Sequence, residues 1–100
     1  MPAKKPFYKV PFKFMKIHRY MWNPDFDQNK VHRAFCYALN EFKWHKYVDR
    51  IHRPAGKRAN RLYILYDPRL DRLQMDMVLE FALEVTHPGK ESHLVTKVVQ

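Results

Sequence analysis

Val31, Ala34, Phe35, Ala38, Leu39 and Phe42 stand three and four positions apart, the spacing of one apolar face of an α-helix. No other stretch has so clean a period, and this one constrains the fold most. It predicts a helix over about residues 28–47, entered through Asn23-Pro24-Asp25, with Asp27 an equally good cap. The far side of that helix carries Lys30, Arg33, Tyr37, Asn40 and Lys43. It therefore packs through one stripe and turns cations outward.

The remaining segments read mainly as strands. Between Phe7 and Trp22 the pattern alternates with one phase change. Val10, Phe12 and Phe14 share a face with Lys16 and His18, while Met15, Ile17, Arg19 and Met21 fall on the other. A bulge near Phe14–Met15 reconciles the two halves. Pro6 and Pro11 favour the other reading, an irregular arm laid across a partner. Leu62-Tyr63-Ile64-Leu65-Tyr66, bounded by Asp67-Pro68, reads as a buried strand, and Leu94 to Val99 as a β-branched one. Residues 69–85 fit two patterns. Met75, Met77, Leu79, Phe81, Leu83 and Val85 alternate as in a strand, whereas Val78, Phe81, Ala82 and Val85 fit a helix. The Leu, Met, Glu and Ala content favours a helix, but a helix stacks Asp76, Glu80 and Glu84 at four-residue intervals, and the six unbroken alternations decide for the strand. The expected fold is α+β: one amphipathic helix on a small, mainly antiparallel sheet, with an extended basic N-terminal arm. One hundred residues make a single domain (1–100), of which 1–12 is the arm lying on a partner.

Nineteen Lys and Arg against ten Asp and Glu leave a formal charge of +9, which calls for an acidic partner. The charge is divided unevenly. Residues 1–61 hold fifteen cations and four acids, whereas residues 62–100 hold four cations and six acids. Two basic clusters stand out: Lys4, Lys5, Lys9, Lys13, Lys16 and Arg19, then Lys43, Lys46, Arg50, Arg53, Lys57, Arg58 and Arg61. Residues 49–60 read as a basic loop punctuated by Pro54 and Gly56, and the first cluster with Arg50, Arg53, Lys57, Arg58 and Arg61 supplies the candidate contacts. Aromatic residues are interleaved with them, and Tyr8, Trp22 and Trp44 are the candidate stacking rings. The acid-richer half is expected to face neighbouring proteins.

Several chemistries are disfavoured. Cys36 is the single cysteine, so no disulfide and no four-cysteine metal site can form within the chain. His32 and Cys36 share a helix face, without a third group nearby to orient them for nucleophilic catalysis. The six histidines lack paired ligand spacing, and two glycines cannot build a phosphate-cradling loop. The acids of the C-terminal half read as a solvated or docking face rather than a catalytic pair. The sequence therefore predicts no catalytic residue, no cofactor and no metal. It contains no apolar run long enough to span a bilayer. The acid-free first 24 residues lack Ser and carry Pro2, Pro6 and Pro11, so they are read as mature protein rather than a transit peptide.

Two short segments resemble known families. Met15-Lys16-Ile17-His18-Arg19, followed by Trp22-Asn23-Pro24-Asp25, resembles the opening of succinate dehydrogenase iron–sulfur subunits. This chain has two extra residues between Arg and Trp and none of the cluster cysteines. Lys5-Pro6-Phe7-Tyr8-Lys9-Val10 is similar to the start of a small bacterial-type ribosomal protein family of the small subunit, a pattern the remainder does not follow. Each resemblance covers about a tenth of the chain.

The leading expectation is a non-catalytic structural subunit of a ribonucleoprotein, a ribosomal and specifically mitochondrial one. Its arm and loop would bind rRNA while its other surface meets neighbouring subunits. The competing expectation is an accessory subunit on the soluble side of a respiratory or ATP synthase complex, its cations meeting acidic subunits or anionic lipid head groups. The expected location is the mitochondrion, otherwise the cytoplasm.

Overall fold

The computed structural model describes residues 10–99. Six regular elements succeed one another: β1 (Lys16–Met21), α1 (Gln28–Glu41), β2 (Val48–His52), β3 (Arg61–Tyr66), α2 (Arg72–Thr86) and β4 (Val95–Val98). The strands lie in the order β2-β3-β1-β4, each antiparallel to its neighbours. Two β-α-β units are thus interleaved, with β1 and β3 side by side at the centre, a split β-α-β arrangement. Two helices pack on an antiparallel four-stranded sheet, and the fold is α+β.

Strand alternation decides where the core lies. His18 and Tyr20 on β1, with Leu62, Ile64 and Tyr66 on β3, are buried and face the helices. Val31, Phe35, Ala38 and Leu39 of α1 meet Met75, Val78, Leu79, Ala82 and Leu83 of α2 in the same core. The alternate strand positions turn away from both helices, and among the described residues no helix or strand covers that side of the sheet.

Helix α1 starts where its cap residue allows. Asp27 accepts a hydrogen bond from the Lys30 amide at 3.1 Å, and its own amide donates to His87 Nε2 at 3.0 Å. The helix stops at Glu41, six residues short of the expected end. There the Lys43 amide donates to the Asn40 carbonyl and the Trp44 amide to the Leu39 carbonyl, each at 3.0 Å. This is the pairing of a Schellman stop, with Lys43 in the left-handed region at φ 59° where glycine usually sits. The missing glycine is why the periodicity of Phe42 carried the expected helix too far.

The region expected as a strand over 69–85 is instead α2. Its buried set, Met75, Val78, Leu79, Ala82 and Leu83, repeats at three and four. Met77, Phe81 and Val85, the other half of the apparent alternation, lie exposed along the outer side below Leu73. A helix apolar on nearly all sides mimics a two-residue period. The anticipated carboxylate repulsion is relieved at its first member. Asp76 accepts a 2.5 Å hydrogen bond from the Tyr20 hydroxyl and lies 3.8 Å from Arg72. Asp71 caps the helix through the Leu73 amide at 2.9 Å.

Two smaller expectations are also revised. The basic loop over 49–60 contributes strand β2, with a register irregularity between Val48 and Arg50. In place of a bulge at Phe14–Met15, a 3₁₀ turn at Phe12–Phe14 leads into β1. Most of the arm, residues 1–9, lies outside the described residues. At the start of the described residues, the Val10 amide donates to Asp67 Oδ2 at 3.3 Å.

Asp67 is fully buried and also accepts from the Arg69 amide and guanidinium at 2.6–3.1 Å. Those donors, Arg69 first, hold its carboxyl down at about 2. His18 is buried between sheet and α2, bonded through Nε2 to the Thr96 hydroxyl, and burial holds its imidazole below the ordinary value.

Both groups bind fewer protons folded than unfolded, so each contributes stability that acid removes. The His18 contribution is complete above about pH 6.5 and declines below it. The Asp67 contribution is complete above about pH 4 and fades toward pH 2; with Arg69 half exposed it amounts to about 1–2 kcal/mol. Denaturant titrations are expected to show two successive losses on acidification, the first absent in His18→Gln and the second reduced in Asp67→Asn. A stability unchanged between pH 7 and 5 contradicts the burial of a neutral His18. At the stop of α1, Lys43→Gly is expected to raise stability by about 1 kcal/mol by relieving the left-handed lysine, read as a higher denaturation midpoint; a lower midpoint contradicts the Schellman geometry.

Candidate nucleic-acid interface

The side of the sheet away from the helices gathers residues from all four strands. The observed registers align them in cross-strand rows. The middle row is Lys97 on β4, Arg19 on β1, Tyr63 on β3 and His52 on β2. On one side Ile17 pairs with Leu65 and Leu65 with Arg50, and the Val99 amide extends the row by donating to the Ile17 carbonyl at 2.9 Å. On the other side lie Val95, Met21 and Arg61. Neighbouring strands stand about 4.8 Å apart, so a row across four strands spans about 15 Å.

The paired outward positions carry Arg19, Arg50, Arg61 and Lys97 and no carboxylate. Arg19 and Lys97 stand directly opposite each other, a like-charge pairing that costs stability unless an anion lies over it. The Nε atoms of Arg19 and Arg61 are buried and have no hydrogen-bond partner among the described residues. Native structures leave few such donors unpaired, which directs attention to an acceptor from outside. Tyr63 and His52 present their rings with centroids 6.3 Å apart and planes tilted by 41°. Between the Ile17–Leu65 pair and these rings lies an open trough of about 320 Å³, lined by Phe12, Ile17, Arg50, His52, Tyr63, Leu65 and Val99.

The contact residues expected from sequence separate into groups. Arg19, Arg50 and Arg61 come together on this face, although they are distant in sequence. Lys57 and Arg58 are exposed on a 3₁₀ turn, Gly56–Arg58, where Gly56 takes φ 69°. Arg53 leans the other way and donates to Asn29 Oδ1 on α1. Lys13 lies 5.1 Å over the Phe14 ring, and Lys16 is exposed at the start of β1. Lys4, Lys5, Tyr8 and Lys9 lie outside the described residues.

The stacking rings need correction. Trp22 is 2% exposed, in the core, its indole N–H donating to Gln28 Oε1 at 2.5 Å. A ring this buried is unavailable to a base. Trp44 is half-buried against the core and stacks on Phe42 with centroids 5.0 Å apart. The rings that lie on the sheet face are Tyr63, His52 and Phe12. The signal for Tyr63 was present in the alternation of Arg61, Tyr63 and Leu65 against Leu62, Ile64 and Tyr66. Reading that run as uniformly buried concealed it.

Elsewhere, burial pushes the Cys36 thiol up, the opposite of an activated nucleophile. Burial, aided by the nearby Arg53, lowers His32. Among the described residues no three His, Cys, Asp or Glu side chains gather as a metal site, and no helix is long and apolar enough to cross a membrane. No protein-family model, curated protein or solved structure matches this chain.

Proposed function

We propose that this chain is a non-catalytic RNA-binding subunit of a ribonucleoprotein, of the ribosomal kind, and that it meets RNA with the uncovered face of its sheet. The observation that carries the reading is the composition of that face: Arg19, Arg50, Arg61 and Lys97 around Tyr63 and His52, with no carboxylate at a paired outward position. Phosphates supply the acceptors that the arginine Nε atoms lack, and neutralise the Arg19–Lys97 opposition. Lys57 and Arg58 extend the cationic surface from the exposed turn that precedes β3. The outer side of α2, with Glu80 and Glu84 beside Met77 and Phe81, repels a polyanion and is left for protein neighbours.

An RNA partner imposes a steep salt dependence, because each neutralised phosphate releases condensed counterions. Fluorescence anisotropy with a labelled RNA stem-loop bearing a single-stranded tail is expected to show affinity falling linearly on a log–log salt plot. Arg19→Ala combined with Lys97→Ala is expected to flatten that slope by about 1.4, the single-strand value for two contacts. An unchanged slope removes the sheet face from the RNA site. Binding to anionic vesicles without RNA binding favours instead the accessory subunit of a membrane-bound complex.

A further inference from the structure

The trough at the Phe12 end of the sheet face has a chemistry that phosphate binding does not use. Half-buried Ile17, Leu65 and Tyr63 form its floor, and the exposed Phe12, Val99, His52 and Arg50 surround them. A phosphodiester backbone gains nothing from such an apolar lining, whereas a flat heteroaromatic ring buries apolar surface there and stacks on the lining rings. Charge lies next to it: Arg50 belongs to the trough itself, and Arg19 stands beside Tyr63 in the neighbouring row. An apolar slot with adjacent guanidinium groups is complementary to a nucleotide whose base is out of its stack and whose phosphate points away from it.

We propose that this trough takes one unpaired nucleobase, so that the face selects single-stranded over duplex RNA. The inference rests on the RNA-binding reading above and deepens it. In a duplex the base faces are already stacked, and the wide minor groove offers hydroxyls and phosphates rather than a free ring. A duplex therefore engages the cations alone. A single strand engages the cations and the trough together, and stacking on one protein ring is sequence-tolerant because every base has a flat face.

The test uses the full chain with a labelled single-stranded octaribonucleotide and, separately, the same octamer annealed to its complement. The single strand is expected to bind at least tenfold more tightly at equal salt. Tyr63→Ala is expected to weaken single-strand binding roughly 10- to 100-fold while leaving duplex binding within about twofold. Tyr63→Phe keeps the ring and is expected to retain the affinity. Leu65→Glu, which sets a carboxylate in the trough floor, is expected to abolish the preference for single strands. Circular dichroism melting identifies any variant that has lost its fold, and Tyr63→Phe against Leu65→Glu then decides the question independently of Tyr63→Ala. Equal affinity for both RNA forms, or a single-strand affinity indifferent to Tyr63→Ala and Leu65→Glu, overturns the trough assignment while RNA binding stands. Binding of neither form overturns both readings.

Discussion

Tyr20 lies opposite Leu62 across the central pair of strands, and the register that places it there runs without interruption from Lys16–Tyr66 to Met21–Arg61. This pairing is the constraint on which the other layers depend. It sends His18, Tyr20, Leu62, Ile64 and Tyr66 to one side, where α1 and α2 cover them. A slip of one residue would turn this set to solvent and bring Arg19, Arg61 and Tyr63 into the core. The Tyr20 hydroxyl tightens the arrangement by donating to Asp76, tying the central strand to the second helix. Burial and the neighbouring carboxylate both raise the phenol's pKa, so the hydroxyl keeps the proton it donates well into the alkaline range.

Because both helices pack on one side, the cationic rows of the other side follow from the same register that builds the core. Outward positions of an uncovered sheet commonly mix charges of both signs. Here each strand adds a cation and none adds a carboxylate at a paired position. The acids collect elsewhere: Asp76 in the buried link to Tyr20, Asp67 in the turn before α2, and Glu80 and Glu84 on the outer surface of α2. The division of charge between the two halves of the sequence thus becomes, in three dimensions, a division between the sheet face and the second helix, with Lys97 of the C-terminal strand joining the basic side.

Much of this was legible in the sequence. The period of Val31 to Phe42 located α1, the apolar run from Leu62 to Tyr66 located β3, and the β-branched tail located β4. Three features resisted for physical reasons. A lysine held the left-handed position that ends α1, so no glycine marked the stop. Apolar residues on nearly every side of α2 blurred its period, because Met77 and Phe81 remain exposed despite their chemistry. Among the candidate contacts, Arg19, Arg50 and Arg61 were visible as charges, but their convergence depends on strand order, which no local pattern encodes. The rings were harder still. Whether a tryptophan is a platform or a core residue is settled by packing, and Trp22 went to the core while Tyr63 took the surface.

The position of β4 has a separate consequence. It forms one border of the sheet, and its sequence there, Val95-Thr96-Lys97-Val98, is short, β-branched and exposed along its whole length. A border of this kind is a template for strand addition by another chain, and a single lysine in its middle is a device that discourages such pairing. At the opposite border, the irregular register of β2 at Asp49 and the proline just past its end give a different safeguard. Lys97 thus sets a charge on this exposed border from the same position in which it faces Arg19. Neutralising its charge, by substitution or by a polyanion lying over it, leaves the β4 border open to edge-to-edge association.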